Sequence, residues 1–451
     1  MEGLALLFAV LAFAVLGSVI GLATGLLPGV HVNNVALVVV AASPSLLGPL
    51  AVMTDDGDAV LLLGAFLAAA SVAHGMAALL PAVFLGAPDS DTALSVLPGH
   101  RLLARGRGHE AVLLGARGAF LGSLLALLLV LPFRLLLGEP VAAYAKLRPL
   151  MPLLLLLLIA LLLATEGRRR DGTGAGGKRA WALALLLASG VLGWTVLRPG
   201  FLPRGGAPLS IGAESLVLFP LFVGLFGLPT LLMSMRTRGR LPPQEIGPPD
   251  PLPAWRRTRG LLSGTFAGAS VSWIPGLGGT NATVVAQLLA GGEPKEDTDA
   301  DREFLFAAGA AGAATTTFTL VALFVILRAR SGVAAALDGL ADGVPPWSPA
   351  GYVPPLLAAV LLALLVSAAV SYAATVRLAR PFAVLAGRVR YGRLARGIAG
   401  ALTVAVFLLS GPTGLLVLGT AAALGLVPPL VGVRRVHLMG CLVIPLLVST
   451  W

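Results

Sequence analysis

Two short runs carry residues able to recognise an ion in an otherwise apolar chain. One is Leu26-Leu27-Pro28-Gly29-Val30-His31-Val32-Asn33-Asn34, the other Trp273-Ile274-Pro275-Gly276-Leu277-Gly278-Gly279-Thr280-Asn281. Proline removes a backbone N–H and clashes with a continuing helix. Glycine adopts backbone shapes that other residues avoid. A helix arriving at either run is expected to break and to restart near Asn33 or Thr280. The first N–H groups of a restarted helix have no acceptor within it, and they form a positive dipole end that suits an anion. Asn and Thr can cap those amides or hold a ligand, and Gly278 and Gly279 let a ligand approach the backbone. The expected substrate-binding set is therefore Pro28, Gly29, His31, Asn33 and Asn34 with Pro275, Gly276, Gly278, Gly279, Thr280 and Asn281. Its ligand would be a carboxylate or a phosphate. The plainer reading, a kink with small residues for close helix packing, is preferred for Gly17, Gly21, Gly264 and Gly268.

The two runs belong to a repeat. Gly17, Gly21, Pro28, Gly29 and Asn34 recur with identical spacing as Gly264, Gly268, Pro275, Gly276 and Asn281. Glycine is abundant, so matched glycines alone mean little. Asparagine is not: Asn33, Asn34 and Asn281 are the only three in the chain, and all follow a Pro-Gly pair.

Residues for a coupling ion are sparser. Glu214 is the only acid that sequence places inside a span. His74 lies in an apolar segment and could take a proton, as could His31. Thr315, Thr316 and Thr317, followed by Thr319, could offer oxygens to Na+. Packing is the competing role for His74, and hydrogen bonding to the helix backbone is the competing role for the threonines. No cofactor and no metal is called for.

The elements that must position these residues follow from composition. The chain has 451 residues, 57% hydrophobic and 12% charged, with a mean hydropathy of +0.92. Soluble domains carry roughly 25% charged residues, so this chain cannot cover a water-soluble fold. Its apolar stretches reach the ~20 residues of a spanning helix. The reading is an all-α polytopic protein of the plasma membrane, and a soluble enzyme or a nucleic-acid binder is excluded. The net charge of +11 sits in short basic loops, the positive-inside pattern. A single cysteine, Cys441, allows no disulfide within the chain. Met1–Leu27 lacks the basic start and cleavage site of a secretory signal. Metalloprotease, Walker A and nucleophile-elbow motifs are missing, so the chain is not read as an enzyme.

Fourteen apolar segments fall seven on each side of a proline-dense basic stretch. The division is residues 1–235 as a first membrane repeat, 236–259 as a cytoplasmic linker, and 260–451 as a second repeat. Loop charge places 101–107, 166–179, 236–259, 377–396 and Arg434–Arg435 inside, and acidic 54–58 outside. The acidic loop 292–303 must then also lie inside, against its charge. Segment 260–291 is too short for two full spans and fits a re-entrant hairpin. Each half becomes a Pro-Gly-broken helical hairpin plus about five transmembrane helices. Five is odd, so the second hairpin enters from the opposite face. Such inverted repeats recur in secondary transporters, with the site at the repeat interface.

At these motifs the sequence resembles the membrane permease of the tripartite tricarboxylate transporters, the TctA type, with an archaeal look. The likeness is carried by Gly21-Leu22-Ala23-Thr24-Gly25-Leu26-Leu27-Pro28-Gly29, by Ala87–Ala93 followed by Pro98–Gly106, by Ile274–Asn281, and by Leu320–Ile326 with Arg330-Ser331-Gly332-Val333-Ala334. It implies secondary transport of citrate-like carboxylates driven by an ion gradient; the two inverted repeats imply alternating access, with Na+ or H+ as the possible coupling ion. It further implies an extracytoplasmic binding protein and a small membrane subunit as partners. A polyprenyl-phosphate or other lipid-phosphate translocase of similar build is the nearest alternative. A non-transporting scaffold or an intramembrane enzyme is the alternative from another class. A homo-oligomer is compatible with the sequence.

Overall fold

A computed structural model describes residues 3–27, 32–33, 35–36, 39–40, 56–85, 92, 95–164, 166, 175–198, 218–235, 242–247, 251–274, 277–290, 298–348, 351–388 and 391–449. The described elements are helical: α1 Gly3–Gly25, α2 Asp56–Ala77, α3 Leu79–Phe84, α4 Val96–Ala104, α5 Gly108–Leu128, α6 Val130–Leu137, α7 Ala143–Leu147, α8 Met151–Ala164, α9 Ala175–Val196, α10 Leu218–Phe222, α11 Leu228–Met235, α12 Ala254–Val271, α13 Gly279–Leu289, α14 Thr298–Ile326, α15 Gly332–Leu340, α16 Pro355–Arg388, α17 Tyr391–Val431 and α18 Gly440–Ser449. Among the described residues, eight helices or helix runs are long and apolar enough to cross a membrane. The chain is a polytopic all-α membrane protein.

Contacts divide it into two compact units, and each takes elements from both sides of residues 236–259. One comprises Met1–Tyr144, Gly239–Ile274 and Gly278–Tyr391; the other comprises Ala145–Arg238, Pro275–Leu277 and Gly392–Trp451.

In the first unit two helix pairs repeat one packing scheme. Gly17, Gly21 and Gly25 of α1 lie against the backbone of Phe66, Ala70 and His74 in α2, closer than any Cβ could come. Gly264 and Gly268 of α12 meet α14 the same way. A Cβ on Gly268 would lie 2.7 Å from the Ala314 methyl and 2.8 Å from Thr315 N. In lipid, where helices gain little from mutual apolar burial, such backbone approach is a main source of association. The packing role expected for these glycines is the one they have.

The charged end of this unit explains the acidic loop that conflicted with its assigned side. Arg101 of α4 pairs with Asp301. Arg302 Nε donates to Glu110 at 2.7 Å, and Arg302 Nη1 donates to Asp299 at 2.6 Å. Arg259 forks onto Glu303 at 2.6 and 2.7 Å. Asp301, Arg302, Glu303 and Glu110 are all buried. The acids at the start of α14 therefore neutralise the basic loops that loop charge puts on the same face. Glu110 stands in the first turn of α5, at this charged end; Glu214, the acid that sequence places inside a span, lies outside the described residues. The linker is not merely a tether. Gln244 accepts from Gly108 N and donates to Leu103 O, which straps residues 242–247 over the α4–α5 turn. Its last residues already belong to α12.

In the second unit α9 and α18 touch through Gly190 and Gly193, which face Ile444 and Cys441. Gly224 and Gly425 bring the turn between α10 and α11 against α17. α17 runs 41 residues but breaks at Gly411, whose φ of 64° is open to glycine and strained for other residues.

Candidate functional site

Both expected interruptions begin where the sequence places them. At the end of α1, Leu27 N bonds Thr24 O at 3.1 Å, a tightened last turn just before Pro28. Helix is present again at Val32 and Asn33. Pro28, Gly29, His31 and Asn34 lie outside the described residues. At the end of α12, Ile274 N bonds Val271 O at 3.0 Å; Pro275 and Gly276 are likewise outside. Gly278 is extended and caps α13 with no side chain. A helix of 11 residues rises roughly 16 Å, about half of the ~30 Å hydrocarbon core. That length fits the re-entrant return expected of segment 260–291.

Asn281 occupies the third position of α13. Its side chain is 3% exposed, and its Nδ2 has no hydrogen-bond partner. An amide N–H buried without an acceptor costs on the order of 1–3 kcal/mol, and native structures rarely keep one without use. Thr280 beside it is also buried, and Thr283 Oγ1 donates to Gly279 O at 2.9 Å. The start of α13 is thus a buried, donor-rich turn that carries one unmet polar group.

The first run is held by two neighbours. Thr24 Oγ1 lies 3.1 Å from His74 Nδ1, so α2 brings the expected His74 against the last turn of α1. Asn33 packs on Gly332, the first residue of α15, where a Cβ would lie 2.6 Å from Asn33 Cγ. Ser331 caps that helix by accepting from Ala334 N at 3.1 Å.

The adjoining Arg330 is a residue to which sequence reading gave no role. Its Nη2 donates to Tyr144 Oη, and its guanidinium lies 5.4 Å from the Tyr144 ring centre. Tyr144 in turn meets Trp273 edge-on at 6.3 Å. The turn 330–332 therefore touches Asn33 of one run directly and Trp273 of the other through a single ring. The signal available in sequence was a pair of basic residues, Arg328 and Arg330, directly after a long apolar run. A buried arginine, Arg134, stands in the same unit with no carboxylate partner. Its Nη1 and Nη2 donate to the carbonyls of Glu139 and Trp347 at 3.1 and 3.4 Å, and its Nε is unmet.

The threonine cluster spends its hydroxyl protons on its own helix. Thr315, Thr316 and Thr317 donate to Ala311, Gly312 and Ala313 carbonyls at 2.7, 3.2 and 3.1 Å. That is the packing arrangement, and only oxygen lone pairs remain to offer a cation. Thr319 instead reaches Ser272 O at 3.4 Å, linking α14 to the end of α12.

Comparison with known proteins follows the same lines. The sequence model described as the tripartite tricarboxylate transporter TctA family matches residues 11–440. A Methanocaldococcus jannaschii protein, named only as uncharacterized, is 27% identical over 332 residues, which is 73% of this chain and 72% of that protein. No solved structure matches the chain.

Proposed function

The chain belongs to the tripartite tricarboxylate transporter TctA family, and from that premise we propose that it carries a di- or tricarboxylate between the two Pro-Gly interruptions by alternating access. Membership makes it a transporter component, not an enzyme, and a multi-pass plasma-membrane protein. Systems of this family include a small membrane subunit and a periplasmic binding protein.

In this reading the substrate's carboxylate accepts from Asn281 Nδ2 and from the first amides of α13. Asn33, set by Gly332, orients the anion from the other run, with Asn34 beside it. Arg330 supplies the positive charge that draws the ligand in. The prolines and glycines shape the broken backbone. The carrying observation is the buried Asn281 amide without an acceptor: a carboxylate oxygen would satisfy it. The repeat has support of its own. α1 on α2 and α12 on α14 use the same glycine-on-backbone contact, and each run follows its glycine helix. An ion gradient drives the cycle.

The test is uptake of labelled citrate, succinate and malate by proteoliposomes that hold the full chain. Asn281→Ala, Asn34→Ala and Arg330→Gln should each cut uptake tenfold or more in protein that still melts cooperatively. Wild-type uptake by the Asn281→Ala protein would remove the site.

One observation favours a second reading, transport of a lipid phosphate. A groove of about 750 Å³ runs beside α12, lined by Trp255, Arg259, Leu262, Phe266 and Leu289. Phe266 and Leu289 are more than half exposed. An acyl or prenyl chain could lie there with its phosphate by Arg259. Movement of a short prenyl phosphate in place of the carboxylates would select this reading.

A further inference from the structure

A second buried polar cluster lies in the unit that does not contain the described anion-site residues. Glu166 follows the C-terminal end of α8, and residues 434–440 lead into α18. Glu166 Oε2 accepts from Arg434 Nε at 2.8 Å and sits 2.8 Å from His437 Nε2. Glu166 is 4% exposed and His437 0%. This is the one histidine–carboxylate contact formed between described residues. His437 is held in place from other sides as well. Its carbonyl accepts from Ser189 Oγ of α9 at 3.3 Å, and Arg434 Nη2 donates to Leu162 O at 3.0 Å.

The ring's protonation follows from these bonds. Burial alone would raise the Glu166 carboxyl, but hydrogen bonds from His437 and Arg434 hold it below the usual carboxylate range. Glu166 is thus an ionised acceptor, and His437 Nε2 must carry the hydrogen between them. Nδ1, the other ring nitrogen, is buried with no partner. A histidine serving only as a clasp would ordinarily have both ring nitrogens satisfied. Here one nitrogen is fixed and the other is left open.

The charges around the ring limit when Nδ1 can be used. Arg434 and Glu166 cancel, so the trio is neutral while His437 is neutral. Arg179 approaches from α9, donating to the carbonyls of Ala164 and Glu166, and Arg435 is next in sequence to Arg434. From α9 the uncharged Ser189 meets the His437 carbonyl. Added positive charge at Nδ1 is therefore opposed by Arg179, Arg434 and Arg435 and favoured by Glu166.

We propose that His437 Nδ1 is a proton-binding site of this carrier, with Glu166 and Arg434 as its positioning residues, and that its proton is a coupling ion for anion transport. The coupling clause rests on the transport reading above. In the step, a proton from hydronium adds to the Nδ1 lone pair and leaves water. The product is an imidazolium whose Nε2–H remains on Glu166 Oε2. On the other side of the cycle the Nδ1–H bond breaks, its proton returns to water, and the neutral ring is restored. Uptake and release each need the turn 434–440 to move off α9 far enough to admit water.

The experiment uses the full chain in proteoliposomes that enclose a pH-sensitive dye, with labelled citrate outside and an imposed acid-outside gradient. The wild type should acidify the lumen in step with citrate entry. His437→Gln keeps an N–H for Glu166 but lacks a titrating nitrogen. It should lower gradient-driven uptake at least tenfold, and the transport that remains should carry one proton fewer per citrate. A link that is only structural lowers uptake with the proton count unchanged, and that result overturns the proposal. In parallel, the wild type with ¹⁵N-labelled histidine is titrated by NMR between pH 5 and 8. An Nδ1 signal that titrates, and whose titration moves in Glu166→Gln, supports the site even if His437→Gln does not fold; an Nδ1 that never protonates overturns it. If the wild type moves none of the carboxylates even with its small membrane subunit and binding protein present, the transport reading fails, and the histidine titration alone decides whether His437 binds a proton.

Discussion

Asn33 lies over the backbone of Gly332, so close that a methyl group at 332 would fall 2.6 Å from the Asn33 Cγ. Asn33 is therefore positioned by the N-terminus of α15, some three hundred residues along the chain. Gly332→Ala should displace the Asn33 side chain and reduce carboxylate uptake about tenfold. The overpacking cost should stay within roughly 1–3 kcal/mol, read as a modest fall in melting temperature. Uptake at the wild-type level in Gly332→Ala would show that Asn33 needs no fixed position.

Asn281 should separate stability from function. Its Nδ2 is buried and unmet, so replacing the amide with an apolar group of similar size removes a desolvation cost instead of a bond. Asn281→Leu is expected to melt at or above the wild-type temperature, a gain of up to about 1 kcal/mol, while uptake is lost. A melting temperature well below wild type would mean that the amide has a partner in the folded protein.

The buried pair Arg302–Glu110 should behave in the opposite way. Glu110→Gln removes the buried carboxylate that faces Arg302, and such a break costs on the order of 3–5 kcal/mol. Changing both, Glu110→Leu with Arg302→Met, removes the stranded charge and should recover most of the loss. A double-mutant cycle on thermal or denaturant unfolding measures it, and additive losses would count against a coupled pair.

Glu166 sets the sign of an acid-stability effect. Its carboxyl is held below the ordinary value in the folded protein. The stabilisation is therefore present above the unfolded carboxylate range and is lost as pH falls through the lowered folded value. Melting temperature should drop as pH falls from about 5 toward 3, the region of unperturbed carboxylates. Glu166→Gln should melt lower than wild type at neutral pH, with the difference shrinking on acidification. A constant difference across that range would assign the effect to packing.

Class and motif were legible in the chain because they depend on local composition. Charge too sparse for a water-facing surface, apolar runs of spanning length, and proline with glycine where a helix must break all act within a few residues. They sufficed for the membrane class, for the breaks after Leu27 and Ile274, and for the packing faces of Gly17, Gly21, Gly264 and Gly268. The resemblance carried by those motifs named the family. Partners could not be read the same way. Burial turns Asp301 and Glu303 from loop acids into counter-ions for Arg101 and Arg259. It also brings Arg330 onto Tyr144 and closes Glu166 onto His437. Each of these pairs joins segments tens to hundreds of residues apart, and its strength comes from exclusion of water, a property of the packed fold that no local pattern encodes. The sequence by itself determined where the helices stop; tertiary structure decided which side chains await them there.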